Sequence, residues 1–293
     1  MSVPVNRIIP DIDSMSEVRR ILREVSDEGR LAVFGRLSPS ADALEKLDRE
    51  IEKVADTGHD LSLIMIDLNG QSGVSFCSDR VMCYQSTIKA IYVGSLLDER
   101  PEVFSKHQEE IRKTIELSEN DTYKFLRDTY GNEPLIRWCR DCGIDESFTD
   151  RHYPRDRTAK ELCILWTRMF AYLESGKAPK ELKAYLSNSA CSSARDVLSD
   201  RCFVQSKAGW ENGLPEDIAY SEGLIYPAYL TDKDPSNDEC AINDSGIIYS
   251  ESGPYLFVIF SDIPYGIYRS GTPENPLNGI TESLYELHRN MTE

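Results

Sequence analysis

The sequence predicts an α+β fold: an antiparallel sheet flanked by terminal helices, with an all-α subdomain inserted between its strands. Two observations carry that prediction. Strand-like segments fall near 61–79 and again within 200–261, while about a hundred residues between them read as helix. Amphipathic helical patterns also bracket the strands, so one sheet face is covered by terminal helices and the other by the central helices.

In chain order, residues 1–36 read as an N-terminal extension. Within it "SMSEVRRILREV" places Ser14 and Glu17 at capping-box spacing ahead of a short helix, and "RLAVFGRL" reads as a strand. The segment "SPSADALEKLDREIEKVAD" carries Leu44, Leu47, Ile51 and Val54 at helical spacing, a stripe to be buried. Then "LSLIMIDLNGQSGVSFCSD" reads as a hairpin around a glycine-containing turn. The helix candidates that follow run from "STIKAIYVGSLL" to "PKELKAYLSNS". Strand signals return with "RCFVQSKAGW", "DSGIIYSES" and "YLFVIFSDI", and "PLNGITESLYELHRNM" is the last helix. The domain therefore spans 37–293, with its sheet part at about 37–82 and 200–293 and its helical subdomain at about 83–199. A site is expected where helical subdomain and sheet edge meet. The long, turn-rich segment 211–241 follows that edge, and a connection of this length is a lid, a binding loop or a disordered segment.

Bulk properties narrow the function. Fifty acidic against 33 basic residues give a formal charge of −17, which argues against nucleic acid or an anionic membrane as partner. No apolar run reaches the length of a membrane span. The first twenty residues lack the basic and apolar regions of a signal peptide. The eight scattered cysteines fit reduced thiols, and so allow a cytoplasmic location. Cys139 and Cys142 form a C-x2-C with no second pair at zinc spacing, so they read as helix residues and no metal site is expected. Nothing calls for an organic cofactor. Oligomeric state is not legible.

Three short motifs bear on chemistry. Ser86 and Lys89 sit one turn apart in "CYQSTIKAIYVGSLL". By composition such an S-x-x-K arises about once by chance in a chain this long. Its chemistry is nonetheless defined: a serine hydroxyl becomes a nucleophile when a neighbour removes its proton, and a lysine held neutral can do so from position i+3. Ser118 and Asn120 stand at a helix mouth in "LSENDTYKFL", where taken alone they read as capping residues. Lys207, Ala208 and Gly209 end a strand, and the small pair lets another backbone approach it closely. The four histidines, His59, His107, His152 and His288, lie in no catalytic context, and no G-x-S-x-G elbow occurs.

Taken together and in this order, Ser86-Thr87-Ile88-Lys89, Ser118-Glu119-Asn120 and Lys207-Ala208-Gly209 resemble the S-x-x-K, S-D-N and K-T-G motifs of the penicillin-binding protein and serine β-lactamase superfamily, most closely its class A-like branch. The resemblance runs over about residues 37 to 293 and implies a β-lactamase/transpeptidase-like fold. It implies a serine acyl hydrolase forming an acyl-serine on a β-lactam, a D-Ala-D-Ala-type peptide or a similar small amide or ester, without metal or cofactor. By position it makes Ser86 the nucleophile, Lys89 the base and Ser118 the proton donor to the leaving group. Asn120 would contact the substrate amide. Lys207 would face a substrate carboxylate and help hold Lys89 neutral, with Ala208 and Gly209 beside it. The backbone N–H groups of Ser86 and Trp210 would form the oxyanion hole. Substrates of this superfamily are usually met outside the cytoplasm.

The pattern also breaks. The E-x-x-x-N that activates the deacylating water is missing from "GIDESFTDRHYPRDRTAKEL", where only Glu146, Asp150 and Asp156 offer carboxylates, so release of an acyl group is expected to be slow. Ala208 stands in place of a hydroxyl residue, and Glu119 in place of Asp. In the 211–241 segment Tyr220, Tyr226 and Tyr229 read as packing residues, with a pocket wall as their other use. These departures keep a second reading open, a penicillin-recognising sensor with little or no turnover.

Overall fold

A computed structural model of the chain describes residues 9–150, 156–211, 241–263 and 275–291. The strands are β1 (Ala32–Phe34), β2 (Leu61–Asp67), β3 (Gly73–Phe76), β4 (Val81–Cys83), β5 (Asp156–Thr158), β6 (Phe203–Ser206), β7 (Gly209–Glu211), β8 (Ala241–Ser250) and β9 (Gly253–Ser261). All pairings are antiparallel. The main sheet runs β1-β3-β2-β9-β8-β6, with β7 also on β8, while β4 pairs with β5 alone. Strands from both ends of the chain thus form one sheet, as the pattern predicts. β2, β8 and β9 are buried along their whole length, which requires cover on both faces.

The two covers are the two helical groups. Alternate residues of β2 separate the cores. Leu61, Leu63 and Met65 pack under α2 (Ala41–Asp56) and the last helix, α11 (Pro276–Met291). Ile64 and Ile66 pack with Trp166 and Phe170 of α8 (Ala159–Glu174) in the helical layer. α2 starts at Ser40, whose Oγ accepts the Ala43 N–H at 3.3 Å, and buries Leu47, Ile51 and Val54 as its spacing predicts, while Leu44 of the same stripe is only partly buried. α3 (Ile88–Glu99) is buried from Ile88 to Leu97 and forms the axis of the helical layer. In the same layer lie α4 (Glu102–Lys106), α5 (Gln108–Arg112), α6 (Asn120–Tyr130), α7 (Glu133–Cys142) and α9 (Lys180–Ser187), while α10 (Ser193–Leu198) packs on α11 and β6 on the other face of the sheet.

The N-terminal segment departs from the reading at the start of its helix. The helix of "SMSEVRRILREV" forms as α1 (Met15–Glu24), but Ser14 does not cap it. Ser14 is itself helical, its hydroxyl donates to the Asp11 carbonyl at 2.6 Å, and Asp11 caps the turn one step earlier. Glu17 is drawn instead to Arg20. The described part of this segment packs on the domain. Met15, Val18 and Leu22 sit in the helical core, α1 lies on α8, and β1 extends the sheet edge through β3.

Cys139 and Cys142 are buried on α7, where loss of water pushes both thiols up, to about 12 and about 11. They are inert helix residues at neutral pH.

Candidate active site

The site is built where α3, the loop before α6, and β7 converge. Strand β4 ends at Cys83, whose carbonyl accepts Asn243 Nδ2 of β8 at 2.7 Å, tying the start of the turn to the sheet. The Tyr84 carbonyl then accepts both the N–H and the hydroxyl of Thr87, at 3.2 and 2.6 Å, and closes a short 3-10 turn over Gln85–Thr87. Gln85 takes φ 49°, a left-handed conformation that is costly for a side-chain-bearing residue and sharpens the turn into α3. Ser86 sits half-exposed in this turn, and Lys89 follows in the first turn of α3, 1% exposed.

Gly209 sets the distance between sheet edge and turn. A Cβ there would meet the Ser86 nitrogen and the Gln85 Cβ at 2.9 Å and the Tyr84 carbonyl at 3.0 Å, so only glycine allows this approach. The register runs unbroken from Ser206↔Gly246 to Gly209↔Asn243, with the Lys207 N–H donating to the Ser245 carbonyl at 2.9 Å between them. The Ala208 N–H donates to Ser189 Oγ at 3.2 Å.

Ser118 is delivered by a break in helical geometry. After α5 the helix widens to a π turn at Lys113–Leu117, and Ser118 follows at φ 60°, ψ 26°. This turns its carbonyl as well as its hydroxyl toward α3. Neither Ser118 nor Asn120 caps α6 in the way helix-start chemistry suggests; the capping position falls on Glu119, which makes no capping bond. Instead Lys89 Nζ donates to the Ser118 carbonyl at 2.6 Å, to Asn120 Oδ1 at 2.6 Å and to Ser118 Oγ at 3.4 Å. It also lies 5.6 Å from the Tyr123 ring centre. Lys207 Nζ, itself 0% exposed, donates to Ser118 Oγ at 2.9 Å and to the Ala208 carbonyl at 2.6 Å, beneath the Trp210 ring at 5.3 Å.

Two buried amines around one hydroxyl have a definite electrostatic consequence. Burial pushes Lys89 well below the ordinary lysine value of 10.5, and the neighbouring Lys207 pushes it further. Burial brings Lys207 down to about 7, against the opposing pull of Cys191 and Asp244. Asp244 is itself raised to about 6 by burial, while bonds from Ala194 N–H and the hydroxyls of Ser192 and Ser193 favour its charged form. Burial and the neighbouring Lys207 thus both favour the neutral form of Lys89.

The structure brings Ser118, Asn120, Lys89 and Lys207 into one hydrogen-bonded cluster and sets Gly209 against the Ser86 turn. Lys89 bonds to the Ser118–Asn120 loop rather than to Ser86. Of the three carboxylates noted as water activators, Glu146 forms an ion pair with Arg140 at 2.5 Å. The side chains of Asp150 and Asp156 lie outside the described residues, as do Tyr220, Tyr226, Tyr229, Cys240 and nearly all of the 211–241 segment. Ser189, Asn243 and Asp244 support the site but carry no motif. For Asn243 and Asp244 the signal is compositional: "AINDSGIIYS" places polar side chains in a fully buried strand, where each must find a partner.

Neither models of protein families nor curated proteins match this sequence. Solved structures do. A β-lactamase from Sphaerobacter thermophilus superposes with a TM-score of 0.56 at 15% identity, over 84% of this chain and 95% of its own. A class A β-lactamase from Bacteroides cellulosilyticus gives 0.56 at 14%, over 84% and 98%. One from Clostridium kluyveri gives 0.55 at 13%, over 85% and 100%. With the strand order, the inserted helical layer and these superpositions in hand, the chain has the fold of the serine β-lactamase and penicillin-binding protein superfamily.

Proposed function

We propose that the protein is a serine acyl hydrolase that carries its acyl group on Ser86. The observation that supports this most is the pair of buried amines, Lys89 and Lys207, bonded to the one Ser118 hydroxyl. Burying two amines is costly, and a fold retains such an arrangement where the neutral amine is useful. In this reading neutral Lys89 takes the Ser86 proton as Oγ bonds to the carbonyl carbon of an amide or ester. The Ser86 and Trp210 backbone N–H groups receive the negative charge on the carbonyl oxygen. As the bond to the leaving group breaks, Ser118 gives that group its proton and regains one from the Lys89 ammonium. Lys207 keeps the Ser118 hydroxyl oriented and Lys89 unprotonated.

Release is the weaker half of the cycle. The E-x-x-x-N is missing from the sequence and, among the described residues, Glu146 is engaged by Arg140, so the reading expects a long-lived acyl-enzyme. A sensor that is acylated and turns over little differs from a slow hydrolase only in that lifetime. Treatment with a neutral alkyl fluorophosphonate, followed by intact-mass measurement of the wild type and Ser86→Ala, tests the reading. Labelling of the first and not the second is expected, and an unlabelled wild type would overturn it.

A further inference from the structure

We infer that the acyl donor carries no carboxylate on its Lys207 side, so that the site takes neutral esters or amides. The inference rests on the acyl-Ser86 reading and narrows its substrate class. Recognition of a carboxylate in a half-closed site requires donors with protons to spare, and preferably a fixed positive charge. Among the described residues around the end of β6 these donors are committed. The Lys207 ammonium has three protons at most. Its nitrogen already serves Ser118 Oγ at 2.9 Å and the Ala208 carbonyl at 2.6 Å, with the Trp210 ring covering it at 5.3 Å. No part of Lys207 is exposed.

The next position offers nothing in exchange. Ala208 has no hydroxyl, and its N–H is used by Ser189 Oγ at 3.2 Å. On the opposite wall, Lys89 gives its protons to Ser118 and Asn120 and is 1% exposed. Glu119, between Ser118 and Asn120, forms an ion pair with Lys113 at 3.9 Å, the two side chains 39% and 37% exposed, so this loop adds no uncompensated positive charge. The chain as a whole carries −17, which opposes the approach of an anion. A neutral acyl donor meets none of these costs, and the oxyanion stabilisation offered to its carbonyl is unchanged.

The test is a matched pair of aryl esters of phenylacetylglycine, one whose leaving phenol bears a carboxylate and one bearing a carboxamide in its place. Second-order rate constants for acylation of the full chain are read by mass, with the fluorophosphonate run alongside. Salt of about 1 M shrinks the screening length to about 3 Å and removes the effect of net charge, leaving the local preference. The carboxamide ester is expected to acylate about tenfold faster or more, the worth of one charge-assisted hydrogen bond. Ala208→Thr, which supplies the missing hydroxyl, is expected to narrow that gap. Fluorophosphonate labelling with ester rates within threefold of each other, or faster for the carboxylate, would overturn this inference while leaving acyl-Ser86 intact. Labelling by none of the three reagents would instead overturn the acyl-Ser86 reading itself.

Discussion

Lys207 Nζ stands 2.9 Å from the hydroxyl of Ser118, a residue that the backbone holds at φ 60°. That geometry separates two effects of Ser118. Ser118→Ala removes the shared hydroxyl and is expected to slow acylation by about 10²–10⁴-fold, the range for one positioned proton-transfer group. Ser118→Gly removes it too, but also relieves the left-handed backbone, so it should be more stable than the alanine variant by about 1 kcal/mol. Thermal unfolding and single-turnover acylation of both variants check this. An alanine variant at least as stable as the glycine variant would contradict the strain argument.

The lysine pair makes a pH prediction of definite sign. Only neutral Lys89 can accept the Ser86 proton, so acylation by a neutral ester rises with pH and levels off before the ordinary lysine value of 10.5. The midpoint belongs to the pair, because the two sites titrate together. A rate still climbing through 10.5 would show that Lys89 is not held neutral.

Stability follows the same linkage. Lys207 titrates at about 7 in the folded chain and at 10.5 when unfolded, so between these values the unfolded state binds more protons. Its burial therefore costs stability fully below about 7, and the cost fades as pH rises to 10.5. Lys207→Met should melt about 2 °C or more above the wild type near pH 7, and the advantage should vanish toward pH 10.5. A constant offset across that window would contradict the assignment. Asp244, raised to about 6 from 3.8, works in the opposite direction at lower pH, where its contribution is lost as pH rises through about 6.

Gly209→Ala tests the contact between sheet edge and nucleophile turn. The added Cβ would press on Ser86 nitrogen and Tyr84 carbonyl, neither of which can move alone. A loss of about 1–3 kcal/mol in stability is expected from overpacking. Acylation should fall by about 100-fold as Ser86 shifts. Unchanged acylation would mean that this contact does not position Ser86.

Leu22→Ala tests whether the N-terminal helix belongs to the domain. Leu22 is fully buried in the helical core, so truncation should cost about 2–5 kcal/mol in urea unfolding. A cost below about 0.5 kcal/mol, the level of a surface change, would restore the reading of residues 1–36 as an appendage.

These contrasts show what a linear pattern can carry. Leu47, Ile51 and Val54 fix α2 because one period encodes both helix and buried face. Ser86 and Lys89 are legible as neighbours one turn apart at a helix start, although Lys89 bonds to the Ser118–Asn120 loop rather than to Ser86. The partners of Lys89 are not: its bonds to the Ser118 carbonyl and Asn120 depend on a π turn and a left-handed residue, which no local periodicity writes. The segment "SMSEVRRILREV" is legible as a helix, but the surface that its Met15, Val18 and Leu22 cover, α8, begins more than a hundred residues later. The Ser14 capping box failed because Asp11, a competing cap one turn upstream, won. Asn243 and Asp244 act through a strand that meets β7 only in the folded sheet.

The most direct measurement of the central claim is the site of acylation itself. The wild-type chain would be pulsed with a neutral activated ester, quenched in acid and digested, and the acyl-bearing peptide fragmented. The account predicts a single added acyl group on the Ser86 hydroxyl, absent from Ser86→Ala and strongly reduced in Lys89→Met. An acyl group on any other side chain, or equal acylation of Ser86→Ala, would contradict it.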